Sequence, residues 1–393
     1  MTGELVDRVR LRLANGRGAL DLAEVAGQES TLLLDSGARS QLSQQLAAEL
    51  TGAGPLEQLL AGPGVTDVLV NAADQVWLDR GFGLEPAAVR FDSDAAVRRL
   101  ATRLAAQAGR RLDDAAPFVD AVLPDGTRLH AILPPLVAHP TLSLRVLSRR
   151  RLAIGDLVGL AAMSAELAAL MTALIHARLT LLISGGTGTG KTTLLAALLA
   201  TVSPAERIIT IEDAAELAVQ HPHVVALLAR SANVERAGAV ELRELVRQAL
   251  RMRADRLIVG EFRGAEIVEL LAALNTGHAG GAATVHANSV TDVPARLVAL
   301  AALGGMSADA LAAQAASALD VLVHVRRDRS GVRRVEQLAL WPASSDPEPA
   351  LVWTRSVGLG PAAGTLRSLL LAADVEPPAL LGGTGAGADR CPP

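Results

Sequence analysis

LTLLISGGTGTGKTTLLAALL, Leu179 to Leu199, decides how the rest of this chain is read. An apolar run short enough for a strand, LTLLIS, breaks into glycines and resumes as an apolar helical segment. The eight residues from Gly185 to Thr192, GGTGTGKT, fit the pattern G-x-x-x-x-G-K-[ST] between a strand and a helix, the context that a phosphate-binding loop requires. Glycines let the backbone curl so that several N–H groups face inward, and the start of the helix adds partial positive charge. Gly185, Gly186, Thr187, Gly188, Thr189, Gly190, Lys191, Thr192 and Thr193 are the expected cradle, with ATP as its ligand. Thr192 is expected to offer its hydroxyl to Mg²⁺.

Lys191 is the only lysine, the other 36 of the 37 basic residues being arginine. The chain is rich in Ala, Leu, Gly and Arg and has no Tyr, which points to a coding bias that replaces lysines without selection on any one of them. A survivor in this loop is expected where a compact point charge is needed rather than a planar fork.

Working outward from the loop, LTLLIS, RIITI, RLIVG and AATVH are short apolar runs that alternate with helical stretches. They are expected to be strands buried on both faces of a mostly parallel sheet flanked by helices, an α/β fold. Upstream, Val65–Asn71 and Gln75–Asp79 read as strands, Asp94–Ala108 as an amphipathic helix, and PFVDAVLPDGTRLHAIL as a hairpin turning at Pro124-Asp125-Gly126. TLSLRVL adds a further strand, which makes this part a smaller α+β domain. The expected division is an N-terminal helical segment at 1–53, the α+β domain at 54–147, a linker at 148–165 containing a basic run, the P-loop domain at 166–345, and an extension at 346–393 that is largely a disordered tail. VLVHVRRDRSGVRRVEQLALW reads as an edge hairpin turning at Ser330-Gly331.

A length of 393 residues is ample for two or three domains, and a net charge of −4 gives no global attraction to nucleic acid or anionic membrane. The single cysteine, Cys391, excludes a disulfide framework within one chain. Although half the residues are hydrophobic, the apolar runs stop short of the ~18–20 residues of a spanning helix. The chain reads as soluble and cytoplasmic.

Two acids and two histidines follow the loop. RLIVGEFRG is an apolar strand that ends in Glu261, with Gly260 at the position where a common P-loop ATPase carries its metal-binding Asp; Glu261 can hold the metal through water. In RIITIEDAAEL another strand ends with Glu212 and Asp213, where a carboxylate can orient or deprotonate an attacking water. For either acid taken alone, a solvated loop carboxylate is the plain alternative. His278 and His286 lie in LNTGHAGGAATVHANS, a spacing that matches no common zinc pattern. His286 ends a strand on the same sheet edge as the two acids, which suits a residue that senses the γ-phosphate. Arg243, Arg247 and Arg251 form an i, i+4, i+8 stripe, read either as a solvated face paired to Glu241 and Glu244 or as a surface that supplies charge to a neighbouring subunit.

GGTGTGKTTLL, TIEDAAEL, LIVGEFRG and NTGHAGGAATVHANS, in that order, resemble the boxes of the ATPases of type II and type IV secretion systems and of tight-adherence (Tad, CpaF/TadA-type) pilus assembly. GPLEQLLAGPGVTDVLVN, AGRRLDDAAPFVDAVLPDGTRLHAILPP and LSLRVL resemble the N-terminal domain of the Tad branch. The resemblance implies a RecA-like P-loop core and ATP hydrolysis with Mg²⁺, the metal held by Thr192 and Glu261. Glu212 would be the catalytic carboxylate, Glu261 the Walker B acid, and His286 the γ-phosphate neighbour, with His278 in support. The N-terminal domain would close over the nucleotide and bring Arg128 and Arg145 to the phosphates. A homo-oligomeric ring, in the family a hexamer, would work with membrane platform proteins from the inner face of the cytoplasmic membrane, with no nucleic acid expected. A conjugative DNA-transfer motor on the same core is the alternative. Two departures stand out: NVERAGAVELREL lacks the expected glycine-rich polar loop, and Pro294 falls within an expected helix.

Overall fold

The alternating pattern between Asp67 and Arg145 builds a sheet with one face turned to a core. In the computed structural model, which describes residues 52–81, 83–146, 151–230, 237–277, 279–342 and 348–382, the chain divides into two compact units between residues 148 and 149. The expected helices of the first 50 residues, His278 and the last eleven residues lie outside the described set.

In the first unit, β1 (Asp67–Ala72), β2 (Gln75–Asp79) and β3 (Leu84–Pro86) precede helix α1 (Asp94–Gln107), followed by β4 (Phe118–Val122), β5 (Arg128–Ile132) and β6 (Thr141–Arg145). Every pairing is antiparallel, in the order β3-β2-β1-β6-β5-β4. Ser93 caps α1, its side chain accepting from the Ala96 amide. The helix buries Val97, Leu100, Ala101 and Leu104 with the inward strand residues Val68, Val70, Leu129, Ala131, Leu142 and Leu144.

The second unit opens with α2 (Ile154–Gly159) and α3 (Ala165–His176), then β7 (Leu181–Ser184), the glycine loop and α4 (Lys191–Leu199). After these come β8 (Ile208–Glu212), β9 (Val224–Leu228), α5 (Leu242–Ala249), β10 (Arg256–Val259), α6 (Ile267–Leu274), β11 (Ala282–Val285), α7 (Val293–Leu303) and α8 (Ala308–Ala318). The chain then adds β12 (Val321–Arg327), β13 (Arg333–Leu340), β14 (Ala350–Thr354), β15 (Gly358–Leu359) and α9 (Ala363–Ala372). The sheet order is β15-β14-β13-β12-β7-β11-β10-β8-β9, parallel from β12 to β9 and antiparallel from β12 to β15.

Both faces of this sheet are covered, as unbroken burial along β7, β8, β10 and β11 requires. Leu181 and Ile183 point to a core shared with Leu170, Leu174, Leu195 and Leu198 of α3 and α4. Leu182, between them, points to the opposite core with Val246, Leu270, Leu297 and Leu311 of α5 to α8.

Three expectations need correction. The extension at 346–393 is not largely a tail: β14 and β15 extend the sheet, and Leu366, Leu370 and Leu381 are buried in the core beside α3 and α4. The mixture of Pro, Gly and small residues hid these few anchors. For the same reason the β12–β13 hairpin is not the edge of the sheet. The linker at 148–165 contains α2, whose Leu157 joins the same core. Pro294 is accommodated because it sits in the first turn of α7, where no amide partner is required.

Candidate functional site

The loop after β7 is shaped by what passes beneath it. Gly185 has φ 154°, and a Cβ there would lie 2.3 Å from the Val325 carbonyl oxygen of β12 and 2.7 Å from Thr189 Oγ1. Gly188 and Gly190 have φ of 70° and 92°, the left-handed region that glycine enters without strain. Thr189 is buried and donates its hydroxyl to the Gly186 carbonyl at 2.9 Å. Thr192 is half-buried and Thr193 exposed in the first turn of α4, while Gly186, Thr187 and Gly188 are exposed at the apex.

Lys191 is 6% exposed and reaches back over the loop. Its Nζ donates to the carbonyls of Gly185 at 3.1 Å and Gly186 at 3.0 Å. It also lies 3.3 Å from His286 Nδ1 and 3.6 Å from Glu261 Oε1. Burial lowers the pKa of this ammonium below the ordinary lysine value, against the upward pull of Glu261.

Glu261 is held at both oxygens: His286 Nε2 is 2.9 Å from Oε1, and Arg263 Nε donates to Oε2 at 2.6 Å. Burial pushes its carboxyl up, but the hydrogen bond and charge of Arg263, with His286 and Lys191, carry it below the usual carboxylate value. Burial, then the Lys191 charge, lowers His286, against Glu261, so the ring is neutral at neutral pH. An ammonium can only donate, so Nδ1 must accept and Nε2–H must donate to Glu261. One tautomer is thereby selected.

Glu212 ends β8 and is 4% exposed. Its Oε1 accepts from the amides of Glu216 at 3.1 Å and Leu217 at 2.9 Å. Its side chain lies over Gly260, whose carbonyl accepts from Thr284 Oγ1 at 2.6 Å. The strand order puts β8, β10, β11 and β7 side by side, so Glu212, Glu261, His286 and the loop all lie at the carboxyl ends of neighbouring parallel strands. That edge is where open α/β sheets present ligand sites.

The other sequence candidates are distributed differently. Arg128 and Arg145 belong to the first unit, where they are directly paired across β5 and β6, and Arg145 Nε is 2.8 Å from Asp67 Oδ1. The α5 stripe pairs with neither Glu241 nor Glu244 in its closest bonds: Arg243 Nη2 and Arg247 Nη2 both reach Glu269 Oε1 on α6, at 2.9 and 2.7 Å. Arg251 donates to the Arg247 carbonyl. Asp213 is exposed beside Glu212. Sequence reading passed over Arg263, whose signal was its place two residues after Glu261. It also passed over Arg333, 145 residues from the loop carbonyl of Gly188 to which its Nε donates at 2.8 Å.

A parallel sheet with a phosphate-type loop, an acid pair and an imidazole at one edge defines a P-loop nucleotide-binding protein. The chain belongs to the family described as Type II/IV secretion system protein, whose profile matches residues 49–337. It is 56% identical over 336 residues to a Mycobacterium tuberculosis protein provisionally named for conjugal transfer, covering 83% of this chain and 95% of that one. It is 32% identical over 279 residues to the conjugal transfer protein TrbB of Rhizobium radiobacter, covering 70% of this chain and 83% of that one. Among solved structures it resembles the Legionella pneumophila ATPase DotB in fold, with a TM-score of 0.51 at 17% identity over 81% of this chain and 87% of that one. Among the described residues no single helix is long and apolar enough to cross a membrane.

Proposed function

We propose that this protein hydrolyses ATP to ADP and phosphate and uses the energy to drive pilus assembly or protein secretion across the cytoplasmic membrane. The observation that carries the reading is the convergence of Lys191, His286 and Glu261 within 3.6 Å of one another above the loop. The buried ammonium rests on the loop's own carbonyl oxygens, the kind of acceptor that phosphate oxygens replace. Arriving phosphates draw Lys191 away from His286 Nδ1, which can then take up a proton and donate to a γ-phosphate oxygen while Nε2–H stays on Glu261. Glu212 orients the attacking water and accepts its proton. The Thr192 hydroxyl and, through water, the ionised Glu261 would hold Mg²⁺, which would supply charge neutralisation at the phosphates. Among the described residues no cluster of three carboxylate, histidine or cysteine ligands forms a site for metal alone.

The proposed working form is a ring of like subunits, a hexamer, on the inner face of the cytoplasmic membrane and engaging platform proteins there. Hydrolysis moves the N-terminal unit against the P-loop unit, Arg128 and Arg145 being the candidates for phosphate contact in the ATP state, with His278 supporting His286. An arginine supplied at the γ-phosphate can raise the rate by roughly 10³–10⁵, so isolated subunits are slow.

A second reading, a DNA-transfer motor, is favoured by the conjugal-transfer names of the M. tuberculosis and R. radiobacter relatives. Measuring ATPase activity with and without single-stranded DNA, beside Glu261→Ala, separates the two. Activity that Glu261→Ala abolishes and DNA leaves unchanged supports export or assembly; DNA stimulation moves the assignment to the transfer motor. No nucleotide hydrolysis in the assembled protein overturns both.

A further inference from the structure

The direction in which a nucleotide must lie across the loop can be read from the sheet. β7 sits between β11 on one side and β12 on the other. His286, Glu261 and Glu212, the groups suited to a transferring phosphoryl, all belong to the β11, β10 and β8 side. A triphosphate whose γ end points there must carry its nucleoside toward β12 and β13. Arg333 stands on that side. It opens β13, and its Nε donates to the Gly188 carbonyl at the loop apex, 2.8 Å away. Its Cδ would be 3.2 Å from a Cβ on Gly190, so the side chain lies against the loop from Gly188 to Gly190.

The hairpin holds this arginine in place. Asp328 accepts from the amides of Ser330 and Val332 and from Arg334 Nε at 3.0 Å, which orders the turn just before β13. Below, Val325 of the same hairpin supplies the carbonyl against which Gly185 fits. Loop and hairpin are therefore interlocked at both ends.

We propose that Arg333 is a nucleoside-binding residue, its guanidinium stacking on the purine of the bound nucleotide while Nε grips the loop apex. This rests on the ATP reading above. A planar, delocalised cation is the side chain that can do both. The chain has little else to offer: no tyrosine, and in this unit Phe262 is buried in the core while Trp341 and Trp353 pack against core clusters.

The test is equilibrium binding of ATP, ADP and inorganic tripolyphosphate to the full-length protein and to Arg333→Ala and Arg333→Lys. Arg333 is exposed, and thermal melts check that both variants stay folded. The expected result is a roughly five- to tenfold weaker ATP and ADP affinity in both variants, about the size of a stacking contact, with tripolyphosphate affinity unchanged. Equal losses for nucleotide and tripolyphosphate, full activity of the lysine variant in binding, or no loss at all overturns the proposal. If the unaltered protein binds tripolyphosphate and ATP, only the Arg333 assignment is at stake; if it binds neither, the nucleotide reading itself fails.

Discussion

Gly260 and Glu212 share one space: a Cβ placed on Gly260 would lie 2.7 Å from Cγ and 2.9 Å from Oε1 of Glu212. The acid that ends β8 occupies the room vacated where a common P-loop ATPase carries an Asp side chain. The unusual glycine before Glu261 is thus the packing partner of Glu212. Gly260→Ala should push the Glu212 carboxylate out of place. Steady-state kinetics should show kcat reduced by about 10²-fold with KM for ATP nearly unchanged, the size of loss that a misplacement of about 1 Å brings. An unaltered kcat would mean that Glu212 is not placed by this contact.

The pocket around Lys191 is filled by two loop carbonyls, an imidazole and a carboxylate, and the side chain is 6% exposed. A guanidinium is broader and cannot shed its charge there. Lys191→Arg should weaken ATP binding by roughly 10- to 100-fold, the range for losing charge-assisted hydrogen bonds. Calorimetric titration checks this, and near-normal affinity would show that any cation suffices.

Acid should destabilise the P-loop unit through the buried His324 and the half-buried His286. His324, 4% exposed on β12, lies 3.0 Å from Ser184 Oγ on β7. Its ordinary pKa is 6.5; burial, followed by the Arg326 charge, holds it lower in the fold, with Asp292 opposing. Below 6.5 the unfolded chain takes up a proton that the folded chain refuses, so stability falls with pH until the folded value is passed. His286 acts in the same direction. Melting temperatures measured between pH 7.5 and 5.5 should fall, and His324→Gln should flatten that slope. A slope that the substitution leaves untouched would remove His324 from the account.

Leu370 is fully buried on α9, in a stretch the sequence reads as an extension. Leu370→Ala should cost about 2–4 kcal/mol in urea unfolding, as for other buried leucines. A disordered extension would show no change.

The pairing of Arg243 and Arg247 with Glu269 places both arginines on a carboxylate whose second oxygen, Oε2, is buried with no hydrogen-bond partner among the described residues. Glu269→Ala should lower stability by up to about 1 kcal/mol, less at high salt, because the two arginines are half-exposed. Thermal melts at low and high ionic strength check it.

Sequence alone determined the parallel core of the P-loop unit, because strands buried on both faces must be apolar throughout and a loop that wraps phosphate must be glycine-rich. The pattern is local, and so it is legible. It also singled out Lys191 at the start of the helix after the loop, and Glu212, Glu261 and His286, whose positions at or just past strand ends follow from the alternation of strand and helix. Only the tertiary structure decided how these groups meet: that His286 bridges Lys191 and Glu261, that Arg263 closes the other carboxylate oxygen, and that Gly260 is empty to admit Glu212. It alone brought Arg333 to Gly188, and it alone made residues 350–382 part of the sheet and core. Apart from Arg263 and Glu261, which are two residues apart, those contacts join residues dozens to more than a hundred positions apart, and they depend on strand order and side-chain volume, neither of which is written in any short stretch of the chain.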